Sequence, residues 1–190
     1  MSTCRRAWAA GVVALIAMAG VGPAAGQLPA YGVGRTPTAD EIKKWDLTIP
    51  ASGRGLPPGN GTAALGKSIY AERCASCHGV EGKEPTYDRL VGGGDTLTTD
   101  RPVLTVGSFW PSASTLWSYI HRSQPVDEPG SLTPDQVYAV TAYLLHLNGI
   151  VGEQEVLDAR TLPLVKMPNR AGFVADPRPD VGPRPKPKKR

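Results

Sequence analysis

The run Cys74-Ala75-Ser76-Cys77-His78 places two thiols and an imidazole within five consecutive residues. Two thiols one helical turn apart can each add to a vinyl group of one porphyrin. The adjacent imidazole can then reach the iron from the proximal face, so Cys-x-x-Cys-His is an attachment pattern for haem c. Three other chemistries also use Cys-x-x-Cys. A zinc site needs further Cys or a suitably spaced His pair, and the neighbouring sequence supplies neither. A thioredoxin-like redox pair belongs at a helix start in a βαβ setting, and no such pattern surrounds this one. A disulfide across so short a loop would restrain little chain. His78 favours the first chemistry: one covalent haem c on Cys74 and Cys77, with His78 on the iron.

The third cysteine, Cys4, lies in a segment that reads as a secretory signal over residues 1–26. Arg5 and Arg6 give its positive start. The apolar stretch from Ala7 to Val21 is too short to span a membrane comfortably. Ala24-Ala25-Gly26 supplies small residues for cleavage before Gln27. Cleavage there would leave the haem pair as the only thiols and would put the protein in the periplasm, where covalent haem attachment follows export. An uncleaved anchor is the alternative. No other stretch is long and apolar enough to cross a bilayer, so no transmembrane span is expected once the leader is gone.

Several elements must position the haem motif. Thr38-Ala39-Asp40-Glu41 is a capping box that opens a short helix through Trp45. Residues 50–61 are rich in Pro and Gly and break the chain. A second helix runs from about Thr62 to the haem cysteines. A third spans roughly Ala113 to Arg122, between Pro111 and Pro125. The fourth has Thr133 as cap, Pro134 in the first helical position and Gln136 completing a capping box, and it runs to Asn148 before Gly149 ends it. No alternating strand pattern stands out, so the fold class is mainly α. The chain of 190 residues suits one domain with flanks. The flanks divide as a 27–61 extension carrying the short helix, a haem domain with its distal loop over 62–175, and a 176–190 tail.

Charge follows the same division. Residues 27–175 carry 13 basic and 15 acidic side chains, a near-neutral balance that does not suggest nucleic acid binding. The tail alternates Pro with Arg or Lys and has almost nothing apolar to bury. It is expected to be disordered, either as a solubilising end or as an electrostatic arm for an acidic partner or anionic lipid.

Gly66 and Tyr70 lie one turn apart on a common face of the second helix, and Ala142-Tyr143 lies in the middle of the fourth. A Gly permits close approach of another helix, and aromatic rings can fill the crossing. With the haem motif, this arrangement resembles a class I cytochrome c, in which the first and last helices cross beside the haem. Other segments are more particular: Tyr31-Gly32-Val33-Gly34-Arg35, Glu41-Ile42-Lys43-Lys44-Trp45-Asp46, Gly55-Leu56-Pro57-Pro58-Gly59, Gly107-Ser108-Phe109-Trp110-Pro111, Tyr138-Ala139-Val140-Thr141-Ala142-Tyr143 and Lys166-Met167-Pro168-Asn169-Arg170. Over about residues 31–175 they resemble the cytochrome c subunits of bacterial molybdenum sulfite or sulfane dehydrogenases. The resemblance implies a class I fold with extended loops. It also implies electron transfer from a molybdenum catalytic subunit to a downstream cytochrome c or oxidase. One Cys-x-x-Cys-His motif implies one haem.

The sixth iron ligand is the open point. Met1 and Met18 fall in the leader, so Met167 is the only thioether expected in the mature chain. Class I cytochromes usually place the ligand Met before the last helix, where this chain reads Arg122-Ser123-Gln124-Pro125. Met167 follows the last helix, in a loop with Pro168, and is favoured as the distal ligand if that loop folds back over the haem. As an alternative it fills the core. His121 is the rival ligand, with His146, Gln124 and an open water-bearing site behind it. Trp110, Trp117 and Tyr119 are expected to enclose the porphyrin or, alternatively, to pack the core. An electron-transfer subunit needs no substrate acid or base and is not itself an enzyme. The competing classes are a haem enzyme with an open distal site and a redox or gas sensor, and no output domain follows the haem segment to serve the latter.

Overall fold

The computed structural model describes residues 33–84 and 87–174. The expected leader and basic tail both lie outside the described residues.

Helix α1, Ala39–Trp45, forms at its capping box. The Thr38 backbone N–H donates to Glu41 Oε2 at 2.8 Å, and the Glu41 N–H donates to Thr38 Oγ1 at 3.3 Å. Arg35 pairs with the same carboxylate. That guanidinium and the Thr38 donors hold Glu41 down at a pKa of about 2.

The haem-motif region is a helical frame. Helix α2 spans Ala63–Arg73, with the Leu65 N–H donating to the Thr62 hydroxyl as N-cap. The chain breaks at Cys74 and re-enters a single turn, α3, over Ala75–His78. Helix α4 covers Ala113–Ser123, and α5 covers Pro134–Leu147. Thr133 and Gln136 cap α5 reciprocally, at 2.9 and 3.3 Å. Gly149 follows the Asn148 cap at φ +68°, a left-handed conformation that glycine adopts without Cβ strain.

Helices α2 and α5 cross at Gly66. A Cβ at that position would collide with the Ala139 carbonyl and stand 2.9 Å from Tyr143 Cβ. Tyr70 and Tyr143 fill the crossing with ring centroids 5.3 Å apart. The expected approach is present, with the Ala139 backbone opposite the glycine. Helix α5 is buried along most of its length, from Val137 to Leu145. The core continues through Leu116, Trp117 and Ile120 of α4 to Leu157, Leu162 and Met167 after α5.

Two features depart from a purely helical reading. Residues Asn60–Gly61 (β1) and Leu157–Asp158 (β2) pair antiparallel, Asn60 opposite Asp158 and Gly61 opposite Leu157. A 3-10 turn covers Leu162–Leu164. Both tie the chain that follows α5 back onto the frame. No helix among the described residues is long and apolar enough to cross a membrane.

Candidate haem site

Cys74 is at once the C-cap of α2 and the N-cap of α3. Its backbone N–H donates to the Tyr70 carbonyl at 2.9 Å, and its own carbonyl accepts from the N–H groups of Cys77 (3.2 Å) and His78 (3.0 Å). The break therefore wraps the whole motif around one turn. Both cysteines are free thiols. Burial pushes the Cys74 thiol up to about 11, with smaller opposing influences from Arg73 and Cys77. No cluster of three or more His, Cys, Asp or Glu among the described residues could hold a metal ion, which removes the zinc alternative.

His78 is oriented from behind. Its Nδ1 lies 3.1 Å from the carbonyl oxygen of Asp88. A carbonyl can only accept, so Nδ1 carries the proton and the lone pair sits on Nε2. Metal-binding imidazoles are held in this way, with the second nitrogen fixing the tautomer and the ring direction. The segment that supplies Asp88 is itself anchored. The Leu90 N–H donates to Gly82 at 2.8 Å. Asn148, at the end of α5, donates from Nδ2 to the carbonyls of Leu90 (3.1 Å) and Leu144 (2.8 Å) and accepts from the Gly92 N–H (3.2 Å).

Two adjoining cavities open beside the motif. The outer cleft has a volume of about 860 Å³ and exposes Cys74, Cys77 and His78 together with Tyr87, Tyr119, Gln124 and Val126. The inner cavity, about 270 Å³, is walled by Leu90, Val106, Leu116, Ile120, Val140 and Leu144, with Trp110 and Tyr70. Cys74, His78, Asp88, Tyr119 and Gln124 line both. An apolar wall reached past two thiols and an aimed imidazole fits a porphyrin, with one edge toward solvent and the other in the core.

The comparisons agree with this geometry. The cytochrome c family model matches residues 63–148. A chain of the crystal structure of the sulfane dehydrogenase SoxCD from Paracoccus pantotrophus superposes with a TM-score of 0.71 at 41% identity, covering 78% of this chain and 74% of that one. The chain belongs to the cytochrome c family, and its cofactor is covalent haem c. Within that family it is a class I electron-transfer cytochrome related to those of sulfur-compound dehydrogenases. It is also 34% identical over 93 residues to the thiosulfate dehydrogenase of Stutzerimonas stutzeri (strain A1501). That match takes 46% of this chain but only 28% of the longer relative.

The structure separates the other expected site residues. Trp110 lines the inner cavity and meets Tyr119 edge-on at 5.5 Å, as a haem-enclosing pair would. Trp117 lines neither cavity. It is 1% exposed and packs between His121 (4.8 Å) and Tyr138 (5.3 Å). At about 100° per residue, Leu116 and Ile120 face the cavity while Trp117 and His121 share the neighbouring face. His121 is half-buried beside Trp117. His146 points its Nδ1 at the Val151 carbonyl, 3.2 Å away. Met167 is 3% exposed within the core cluster and lines neither cavity. Sequence reasoning missed the Asp88 carbonyl and Asn148, neither of which has a local signature.

Proposed function

We propose that this protein is a periplasmic monohaem electron-transfer subunit. It takes electrons from the molybdenum catalytic subunit of a sulfur-compound dehydrogenase and hands them to a downstream cytochrome c or oxidase. Cys74 and Cys77 hold the haem through thioether bonds, and His78 Nε2 is the proximal ligand. The observation that carries this reading is the likeness to the SoxCD chain, at 41% identity across most of both chains. When bound, the haem supplies reversible one-electron storage. The chain's own part is to fix and shield it. Asp88 holds the imidazole's proton on Nδ1. The aliphatic wall of α4 and α5 excludes water, which tunes the potential. Tyr119 and Val126 stand at the outer cleft, both exposed, where an electron can enter or leave.

The test is reconstitution. The full chain, matured with haem, is mixed with the molybdenum subunit from the same source and the sulfur substrate is added. Reduction of the haem only when both substrate and catalytic subunit are present supports the reading. A haem that stays oxidised under those conditions overturns it.

A further inference from the structure

We propose that the iron's sixth position receives no sulfur or imidazole from the described residues, that Gln124 is the residue facing it, and that the position therefore exchanges small ligands. This rests on the haem reading above and goes beyond electron transfer. Among the described residues, apart from Cys74, Cys77 and His78, no Cys, His or Met lines either cavity. Met167 is sealed in the core, and His121 packs against Trp117 on a neighbouring face of α4. Cys74 and His78 approach the cavities from the motif turn, while Gln124 approaches from the end of α4.

Gln124 lines both cavities, and its side chain makes no hydrogen bond to any described residue. Its neighbours on that wall are committed elsewhere. Glu128 is paired with Arg73, and the Tyr119 ring meets Trp110 edge-on. An amide oxygen is a hard, neutral donor, whereas haem iron is held in cytochromes by imidazole or thioether. Such a donor, or water in its place, yields to a stronger ligand. The chemical class that fits is a small ligand for haem iron: carbon monoxide on the reduced form, cyanide or free imidazole on the oxidised form.

The experiment uses the purified full chain carrying haem, with covalent loading checked by haem staining on a denaturing gel. Absence of the stained band would reject the haem reading itself, and this proposal would fall with it. With the band present, the wild type is expected to lack the far-red thioether–iron band and to bind carbon monoxide when reduced. Gln124→Met should create that band and slow carbon monoxide binding at least tenfold. Met167→Leu, which conserves core volume, and His121→Gln should leave both readouts unchanged. A wild-type far-red band lost in Met167→Leu would put the thioether on the iron and overturn the proposal. So would a low-spin spectrum lost in His121→Gln, or a wild type that refuses carbon monoxide altogether. A Gln124→Met variant without the band, in a chain that binds carbon monoxide, would overturn the assignment of Gln124.

Discussion

His78 Nδ1 and the Asp88 carbonyl oxygen, ten residues apart in the chain, meet at 3.1 Å. The acceptor is backbone, so no side-chain change at Asp88 can remove it. It can only be moved by loosening the segment that carries it. The orientation of the proximal ligand therefore depends on contacts made several residues further on, by Leu90 and Gly92 with Asn148.

Asn148→Ala removes three hydrogen bonds at once. The Leu90 carbonyl keeps the Val106 N–H at 3.2 Å, while the Leu144 carbonyl and the Gly92 N–H lose the side-chain partner. The expected cost is about 1–3 kcal/mol, visible as a lower urea midpoint with an unchanged slope. An unaltered midpoint would show the loop to be held without Asn148.

Gly66→Ala sets two effects against each other. Alanine improves helix propensity by about 1 kcal/mol, while overpacking costs about 1–3 kcal/mol. Here the obstacle is the Ala139 carbonyl, a backbone group that cannot rotate away. The clash should win, with a net loss of up to about 2 kcal/mol and a lower thermal midpoint by far-UV circular dichroism. An equal or higher midpoint would mean that the helices can part at no cost.

Replacing Cys74 and Cys77 together by Ala removes both thioether bonds. No haem-stained band should survive denaturing electrophoresis. A surviving band would place the attachment elsewhere in the chain.

His121 makes stability depend on pH in a stated direction. Burial, helped by the charge of Arg122, holds its pKa below the ordinary value of 6.5. Its Nδ1 is buried without a partner. The unfolded chain thus binds this proton more readily than the folded one. The stabilisation is complete above pH 6.5 and declines as pH falls from there toward the depressed folded value. His121→Gln should flatten that acid-side decline in a series of melting curves. An identical decline in the variant would assign it to other groups.

The helices were legible because each announces its own ends. Thr38, Thr62 and Thr133 all cap as their neighbours require, and Pro134 and Gly149 mark the limits of α5. The crossing at Gly66 was legible because a glycine beside a tyrosine on one helical face has few other uses. The haem-binding turn was legible from five residues. What stayed hidden is what distant residues decide together. Nothing local to Asn60 indicates a two-residue ladder with Asp158. Trp117 and Trp110 look alike as porphyrin neighbours until the fold places Trp110, in the loop before α4, on the inner cavity and Trp117, on α4, away from both cavities. A Met-Pro pair after the last helix reads equally as a ligand loop or as core filler, and only the packing around Met167 distinguishes them.

The α2–α5 crossing has a kinetic meaning. Gly66 and Ala139 touch across most of the domain, and nearly all the cavity-lining residues fall on the chain between Tyr70 and Leu144. Such a clasp forms only after a long loop has closed, an entropic toll met before any contact rewards it. No fragment short of both helices contains the cavity, and parting them opens it from end to end. Loss of the haem's native environment and global unfolding are then one cooperative event, and the Soret absorbance serves as a gauge of the whole fold.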